Sequence, residues 1–387
     1  WFDIKNFNIK IIETSAVIYI YKNKTIIKTG NNELSIKQNF KKTLDELYKT
    51  KLPENLPLFI LLFYELGATL NEAFKIDENT LLGYVIIPES FIYENFIYAQ
   101  KNSKNTPLKN DCSKKCNPKK IEIKYPEKKN YFEKIESIKK LIKSGFTYQI
   151  NYTERFFINN FISPYNLYSV INKNKSRFQA IIPLFNGQYL ISDSPERLFS
   201  ITDHKIKAEP VKGTLSSEII NAEKKLLESE KDLQELAMIT DLLRNDICGI
   251  INKNSLEVKF PEIMKIPGII HLYSVINGKI NKKKNFSQIL TSLFPGGSIT
   301  GVPKIETMKI INKLEKYPRR FYTGSLGIIL NNNVDFNILI RSYFWDREKY
   351  IYGAGGGITY WSEAEKEWEE MLLKTEKIKN LETKVTV

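Results

Sequence analysis

"GAGGGITYWSEAEKEWEEML", residues 353–372, joins a glycine-rich run to an acidic helix, and its reading decides the fold. The run holds Gly353, Gly355, Gly356 and Gly357, yet Ile358 stands where G-x-G-x-x-G needs its third glycine. A dinucleotide-binding turn is therefore excluded. A second candidate, "FPGGSITGVPK", sets Gly296 and Gly301 at phosphate-loop spacing, but Val302 and Pro303 fill the places of the required Lys and Ser/Thr. Both stretches instead offer backbone that another group can approach closely, with N–H groups able to hold an anion such as a carboxylate. Strand-like and helical segments come in runs rather than in strict alternation. The pattern predicts an α+β layered sandwich, not a nucleotide-binding parallel sheet.

The chain has 387 residues, 42% of them hydrophobic and 26% charged, the composition of a globular protein with a large core. Its net charge is +14, but the basic residues are scattered through Asn- and Ile-rich text such as "NKNKS" and "NKKKN". No recognised nucleic-acid motif accompanies them, so no nucleic-acid partner is expected. The charge can still raise the local concentration of a small anionic substrate. No apolar run reaches the roughly 20 residues of a membrane helix. "LPLFILLFYELG", 56–67, is interrupted by Glu65 and reads as a buried element.

Of three cysteines, Cys112 and Cys116 form a C-x-x-x-C without a second ligand pair, and Cys248 stands alone. Free thiols and a reducing cytoplasm are expected rather than zinc or disulfides. The chain opens on Trp1, which is compatible with a removed leader. Residues 1–100 mix strand alternation with helical stretches near 37–50 and 57–74. Residues 101–129 are lysine-rich and aperiodic, and read as a long surface loop or linker. From 130 the text reads as helix, strands to about 211, helices to 246, more strands, and a final helix after 361.

Ser229 reads as an N-cap with Asp232 three residues on, and Ser362 with Glu365 repeats the capping pattern. Asp232 and Glu235 share one helix face, as do Glu367 and Glu370. Two such helices would bracket a hard divalent cation of the Mg²⁺ type, which prefers carboxylate oxygens.

An ordered series of motifs resembles the chorismate-utilising enzymes, the family that holds anthranilate, aminodeoxychorismate, isochorismate and salicylate synthases. It comprises "YQINYTERF" (148–156), "SDSPERLFS" (192–200), "EPVKGT" (209–214), "ELAMITDLLRNDICG" (235–249), "IIHLYSVINGK" (269–279), "LFPGGSITGVPKIETMKII" (293–311), "YTGSLGII" (322–329), "IRS" (340–342) and the opening stretch. The resemblance covers about residues 130–375. It implies two packed antiparallel sheets flanked by helices with the active site between them. It further implies a catalytic region, 129–387, intertwined with a variable N-terminal half, 1–128.

The resemblance also implies roles. Glu235 and Glu370 would ligate Mg²⁺, with Asp232 and Glu367 assisting, and the cation would meet the C1 carboxylate of chorismate. The amides of Gly353, Ala354, Gly355 and Gly356 would hold the same region. Arg341 would pair with the pyruvyl carboxylate, Tyr322 would orient it, and Gly213 and Thr214 would form the pocket wall.

Three positions bear on the family member. Gln149 stands where the water-adding members resemble one another in a lysine base, which argues against isochorismate and salicylate synthases. His271 occupies the place of a histidine near the reacting ring carbon in the anthranilate-forming members. Lys212 stands where those members have a small apolar residue and the aminodeoxychorismate-forming ones a lysine. Lys212 would therefore be the nucleophile, its charged form disfavoured by the cation and by partial dehydration, with Glu196 protonating the departing hydroxyl. "KIIETSAV" (10–17) and "SPYNLY" (163–168) resemble elements that bind feedback tryptophan in anthranilate synthases, so tryptophan is a possible N-terminal ligand and anthranilate synthase the runner-up. No Cys-His-Glu triad is present, which leaves ammonia to come from solution or from a separate glutamine amidotransferase subunit.

Overall fold

The structure, a computed structural model, describes residues 7–50, 56–93, 96–99, 120–159, 162–171, 176–184, 187–266 and 269–379. Cys112, Cys116 and most of the expected 101–129 loop lie outside the described residues.

Two long strands, β1 (Phe7–Ile20) and β5 (Gly83–Tyr93), run antiparallel and belong to both sheets. In the first sheet β1 leads through β2 (Thr25–Thr29) to β3 (Asn32–Ile36). On the other side β5 leads through β4 (Leu58–Leu62), β17 (Ser325–Leu330), β18 (Asn333–Asn337), β11 (Arg197–Thr202) and β12 (Lys205–Ala208) to β15 (Ile269–Lys279). The two edges of β15 carry β13 (Val211–Ser216) and β14 (Glu257–Ile266).

In the second sheet the other ends of the long strands take β6 (Phe96–Ala99) and, parallel to β1, β9 (Phe178–Pro183). From β9 the order continues with β10 (Tyr189–Ser194), β19 (Ser342–Trp345), β20 (Lys349–Ile358) and β8 (Gln149–Asn159), which β7 (Ile123–Lys124) and β16 (Gly301–Val302) border. Register shifts between Ile11 and Ala16 fall within "KIIETSAV", where the β1–β5 pair passes from one sheet to the other.

β4 shows why "LFILL", 58–62 within "LPLFILLFYELG", is apolar throughout. Leu58, Ile60 and Leu62 face a core shared with α1 (Phe40–Lys49), α2 (Tyr64–Leu70), α6 (Glu230–Cys248) and α7 (Phe286–Leu293). Phe59 and Leu61 face the opposite way, onto Phe178, Ala180 and Ile182 of β9 and Leu190 of β10. The strand is sandwiched between helices and the other sheet, so period-two alternation buries every residue. On the second sheet's outer face Ile181 and Ile191 pack with α3 (Lys128–Lys143), α4 (Pro164–Ile171), α8 (Lys304–Leu314) and α9 (Ala364–Lys379). The remaining helix, α5 (Ala222–Leu227), packs with Leu236 of α6 against β15. Two antiparallel sheets with flanking helices are thus present as expected.

The helix ends correct one expectation. Ser229 does cap α6, its Oγ accepting from the Asp232 amide. Ser362 does not cap α9; its Oγ accepts from the Thr359 amide at 3.1 Å, which closes the turn before the helix. Glu365 instead reaches Lys128 on α3. The pattern S-x-x-E does not distinguish a cap from a turn one residue earlier.

Candidate active site

A cavity of about 690 Å³ lies between α6 and β13 on one side and β20 and α9 on the other. Lys212, Glu196, Gln149, Tyr322, Arg341, Gly353, Ala354, Gly355, Gly356, Glu235, Glu367 and Glu370 all line it. Gly213, Thr214, His271 and Asp232 do not.

Lys212 enters the cavity through a bulge. β13 pairs Lys212 with Leu272 and Thr214 with His271, skipping Gly213. Gly213 has φ +64°, and a Cβ there would come within 3.1 Å of Leu226 and of the Asp232 carboxyl carbon. Only glycine suits both the dihedral and the space. The lysine amine lies 3.4 Å from Glu235 Oε2.

Glu196 accepts a hydrogen bond from Ser298 Oγ at 3.0 Å. Burial pushes its carboxyl up, and the nearby Ser298, Lys212 and Arg341 only partly oppose this. That is the direction a proton donor needs. Arg341 holds a left-handed backbone, φ +50°, a conformation that a non-glycine residue adopts when its surroundings enforce it. His271 stands behind the lining, its Nδ1 2.8 Å from Thr214 Oγ1. Burial and then the Arg341 charge lower its pKa, so it is neutral near pH 7. Thr214 Oγ1 thus holds the one imidazole that the sequence placed near the reacting ring.

The glycines of β20 are explained by what approaches them. A Cβ on Gly353 would lie 2.4 Å from the Tyr322 ring, and one on Gly357 2.2 Å from Gln149 Nε2. β19 pairs with β20 only as far as Tyr352, whereas β8 continues to Ile358. Among the described residues no strand covers the other edge beyond Tyr352, and that edge borders the cavity.

Carboxylates meet this strand at Gly356. Glu367 Oε2 and Glu370 Oε1 lie 3.3 and 3.8 Å from the position of the Cβ it lacks. Lys374 donates to Glu370 Oε1 at 2.9 Å and to the Gly355 carbonyl at 2.6 Å. Burial raises the Glu367 carboxyl, and the Glu370 charge adds to this. Burial would raise Glu370 as well, but Lys374, Lys231 and Lys212 outweigh it and hold that carboxyl below its ordinary range.

Among the described residues no three acidic, histidine or cysteine side chains form a ready-made metal cluster. The carboxylates are nonetheless placed for positive charge: Glu235 holds one ammonium, Glu370 another, and Glu367 stands beside the second. Glu235, Glu367 and Glu370 line one cavity, and carboxylate oxygens are the donor type that a hard divalent cation takes. Asp232 stands outside the lining, where Ser229 Oγ donates to its Oδ2 at 2.6 Å.

Several residues carry roles that the sequence reading did not assign. Ser298 and Asn151 line the cavity beside Glu196, and Lys231, Lys366 and Lys374 surround the carboxylates. Behind the cavity Arg197 clasps Asp335 through Nε and Nη2, both at 2.8 Å, and also binds Glu209. Arg177 reaches the same Glu209 oxygen at 2.6 Å. Burial would raise Glu209, yet Arg177, Arg197 and Lys207 bring it down to about 2. Arg197 follows Glu196 and Glu209 precedes Lys212 by three residues, so this buried network ties together the segments next to both.

The family described as chorismate binding enzyme matches residues 4–380. This chain belongs to that family. Among family members it is similar to aminodeoxychorismate synthase component 1 of Escherichia coli, with 35% identity over 261 residues, 65% of this chain and 57% of that one. It is equally similar to anthranilate synthase component 1 of Saccharolobus solfataricus, with 35% identity over 272 residues, 67% of this chain and 63% of that one. The match thus spans little more than half the length of the E. coli relative. Crystallised chorismate-utilising enzymes share the fold. Anthranilate synthase component I from Streptococcus pneumoniae superimposes with TM-score 0.82 at 22% identity, covering 95% of this chain and 91% of that one. A 2,3-dihydroxybenzoate-specific isochorismate synthase from Bacillus anthracis gives 0.68 at 19%, covering 94% and 96%. Among the described residues no helix is long and apolar enough to cross a membrane.

Proposed function

We propose that this chain aminates chorismate to 4-amino-4-deoxychorismate, a precursor of p-aminobenzoate and folate, with Lys212 as the nucleophile. The observation that carries the reading is the bulge at Gly213, which turns Lys212 into a cavity that it shares with the raised carboxyl of Glu196. The Lys212 amine attacks C2 of the substrate while the C4 hydroxyl leaves as water with a proton from Glu196. Ammonia then attacks C4, the lysine nitrogen leaves C2, and the ammonia-derived nitrogen loses its extra proton. The overall exchange is chorismate plus ammonia for aminodeoxychorismate plus water.

Arg341 pairs with the pyruvyl carboxylate, Tyr322 orients it, and the open edge of β20 faces the ring carboxylate. Gln149 sits against Gly357 and offers an amide where a water-activating base would stand. Glu235, Glu367 and Glu370 would hold Mg²⁺. The cation would supply Lewis-acid neutralisation and orientation of that carboxylate. A separate glutamine amidotransferase supplies ammonia, in keeping with the designation of the E. coli relative as a component 1.

The covalent step has a direct test. Intact mass spectrometry after chorismate is added without ammonia should show an adduct equal to chorismate less one water, absent in Lys212→Ala. An unmodified chain that still turns chorismate over would refute the covalent route. The second reading, anthranilate synthase component I, is favoured by the equal similarity to the S. solfataricus enzyme and would show as anthranilate and pyruvate.

A further inference from the structure

Lys374 lies one helical turn after Glu370 on α9, and a surface i,i+4 pair is ordinarily worth a few tenths of a kcal/mol. Its surroundings are not those of a surface pair. The ammonium reaches across to the Gly355 carbonyl at 2.6 Å as well as to Glu370 Oε1 at 2.9 Å. It lies 3.9 Å from the bare face of Gly356, the point that Glu367 Oε2 approaches to 3.3 Å. One positive charge thus stands among a carbonyl and two carboxylates, at the place where the acidic residues of α9 meet β20.

We infer that Lys374 is a built-in counter-ion which a divalent cation must displace from Glu370, so that this lysine sets the threshold for cation binding. The inference rests on the cation reading given above. A carboxylate oxygen bound to a dication leaves no favourable place for an ammonium at 2.9 Å, since the two cations would repel at short range. The exchange is mechanically simple. Lys374 is partly exposed and has a flexible four-carbon stem, so its head can swing away while α9 keeps its register. Until then the ammonium holds the Glu370 carboxyl beside Gly356, where the acidic residues of α9 meet β20.

The test measures cation affinity without turnover. Calorimetric titration of the substrate-free chain with Mn²⁺ compares the natural sequence, Lys374→Met and Lys366→Met. Lys366 lines the same cavity but pairs with Glu363 at 2.7 Å, so its removal reports only the loss of a nearby charge. Lys374→Met should bind Mn²⁺ at least about fivefold tighter, and Lys366→Met within about twofold of the natural chain. The rise in melting temperature on adding Mn²⁺ should be largest for Lys374→Met. Lys374→Gln serves if the methionine variant does not fold. Equal or weaker affinity in the Lys374 variants overturns the inference and leaves the cation reading intact. Absence of saturable Mn²⁺ binding in every protein overturns both.

Discussion

At the scale of single residues, the proposed chemistry turns on two groups with opposite needs: an amine that would reach the substrate and a carboxyl that would keep its proton. Gly213 meets the first need and burial of Glu196 the second. Because the folded-state pKa of Glu196 is raised, folding favours its protonated form. The stability this contributes is full below the unfolded pKa and is lost as pH rises through the folded one. Glu196→Gln, uncharged throughout, should therefore melt at a higher temperature than the natural chain at pH 8 while kcat falls by about 100-fold or more. A lower melting temperature at pH 8 would contradict this account of Glu196. The natural enzyme should also lose kcat/KM as pH rises through the Glu196 pKa. Gly353→Ala should raise the chorismate KM, since its methyl would occupy the space of the Tyr322 ring; an unchanged KM would show that Tyr322 does not orient the substrate.

At the scale of elements, the Arg177–Glu209–Arg197–Asp335 network joins β11 and β18 to the residue before β9 and to the link between β12 and β13. Removing one member of a buried ion network leaves charge uncompensated, so Glu209→Gln should destabilise the fold by about 3–5 kcal/mol at pH 7. Glu209 is depressed to about 2, so its contribution is present above the unfolded carboxylate range and fades as pH falls toward 2. The stability gap between the two proteins, read by denaturant unfolding, should narrow with acid; a gap independent of pH would mean the loss is one of packing. Neither Arg197 nor Glu209 was assigned a role from the sequence, although both stand inside motifs that were recognised. Residues 197 and 209 are distant from Asp335 along the chain, and only strand pairing brings them together. Lys374 was missed for a different reason, because a lysine four residues after a glutamate reads as a solvated helix face. Ser229 was legible as a cap because its partner lies within one turn, whereas Ser362 was not, because a turn and a cap share the same spacing.

At the scale of the whole molecule, the layered α+β character and the glycine run were legible in the residues themselves, whereas the two packed sheets and the meeting of Lys212 with Glu196 were implied only by the resemblance of the ordered motifs. Strand-like runs and glycines in series are legible because they are local patterns; the bulge at Gly213 shows only in the strand register and was not legible. The sharing of β1 and β5 between the sheets was not, since it follows from long-range pairing and from register shifts that no local period marks. The excess of charge, +14 in all, belongs to the molecule as a whole: the cavity itself balances Lys212, Lys231, Lys366, Lys374 and Arg341 against Glu196, Glu235, Glu363, Glu367 and Glu370. A doubly anionic substrate should be steered by that field. kcat/KM should fall several-fold as ionic strength rises from about 0.02 M to about 0.3 M, with kcat little changed. A flat salt profile would show that the charge serves no part in capture.

The central claim is that Lys212 directs this family fold toward amination at C4. Its most direct test is the product profile of the purified chain with chorismate, Mg²⁺ and excess ammonium, read by mass spectrometry and anthranilate fluorescence beside Lys212→Ala. The account predicts 4-amino-4-deoxychorismate from the natural chain and its loss in the variant. Anthranilate and pyruvate from the natural chain would contradict it and assign the chain to tryptophan rather than folate precursor synthesis.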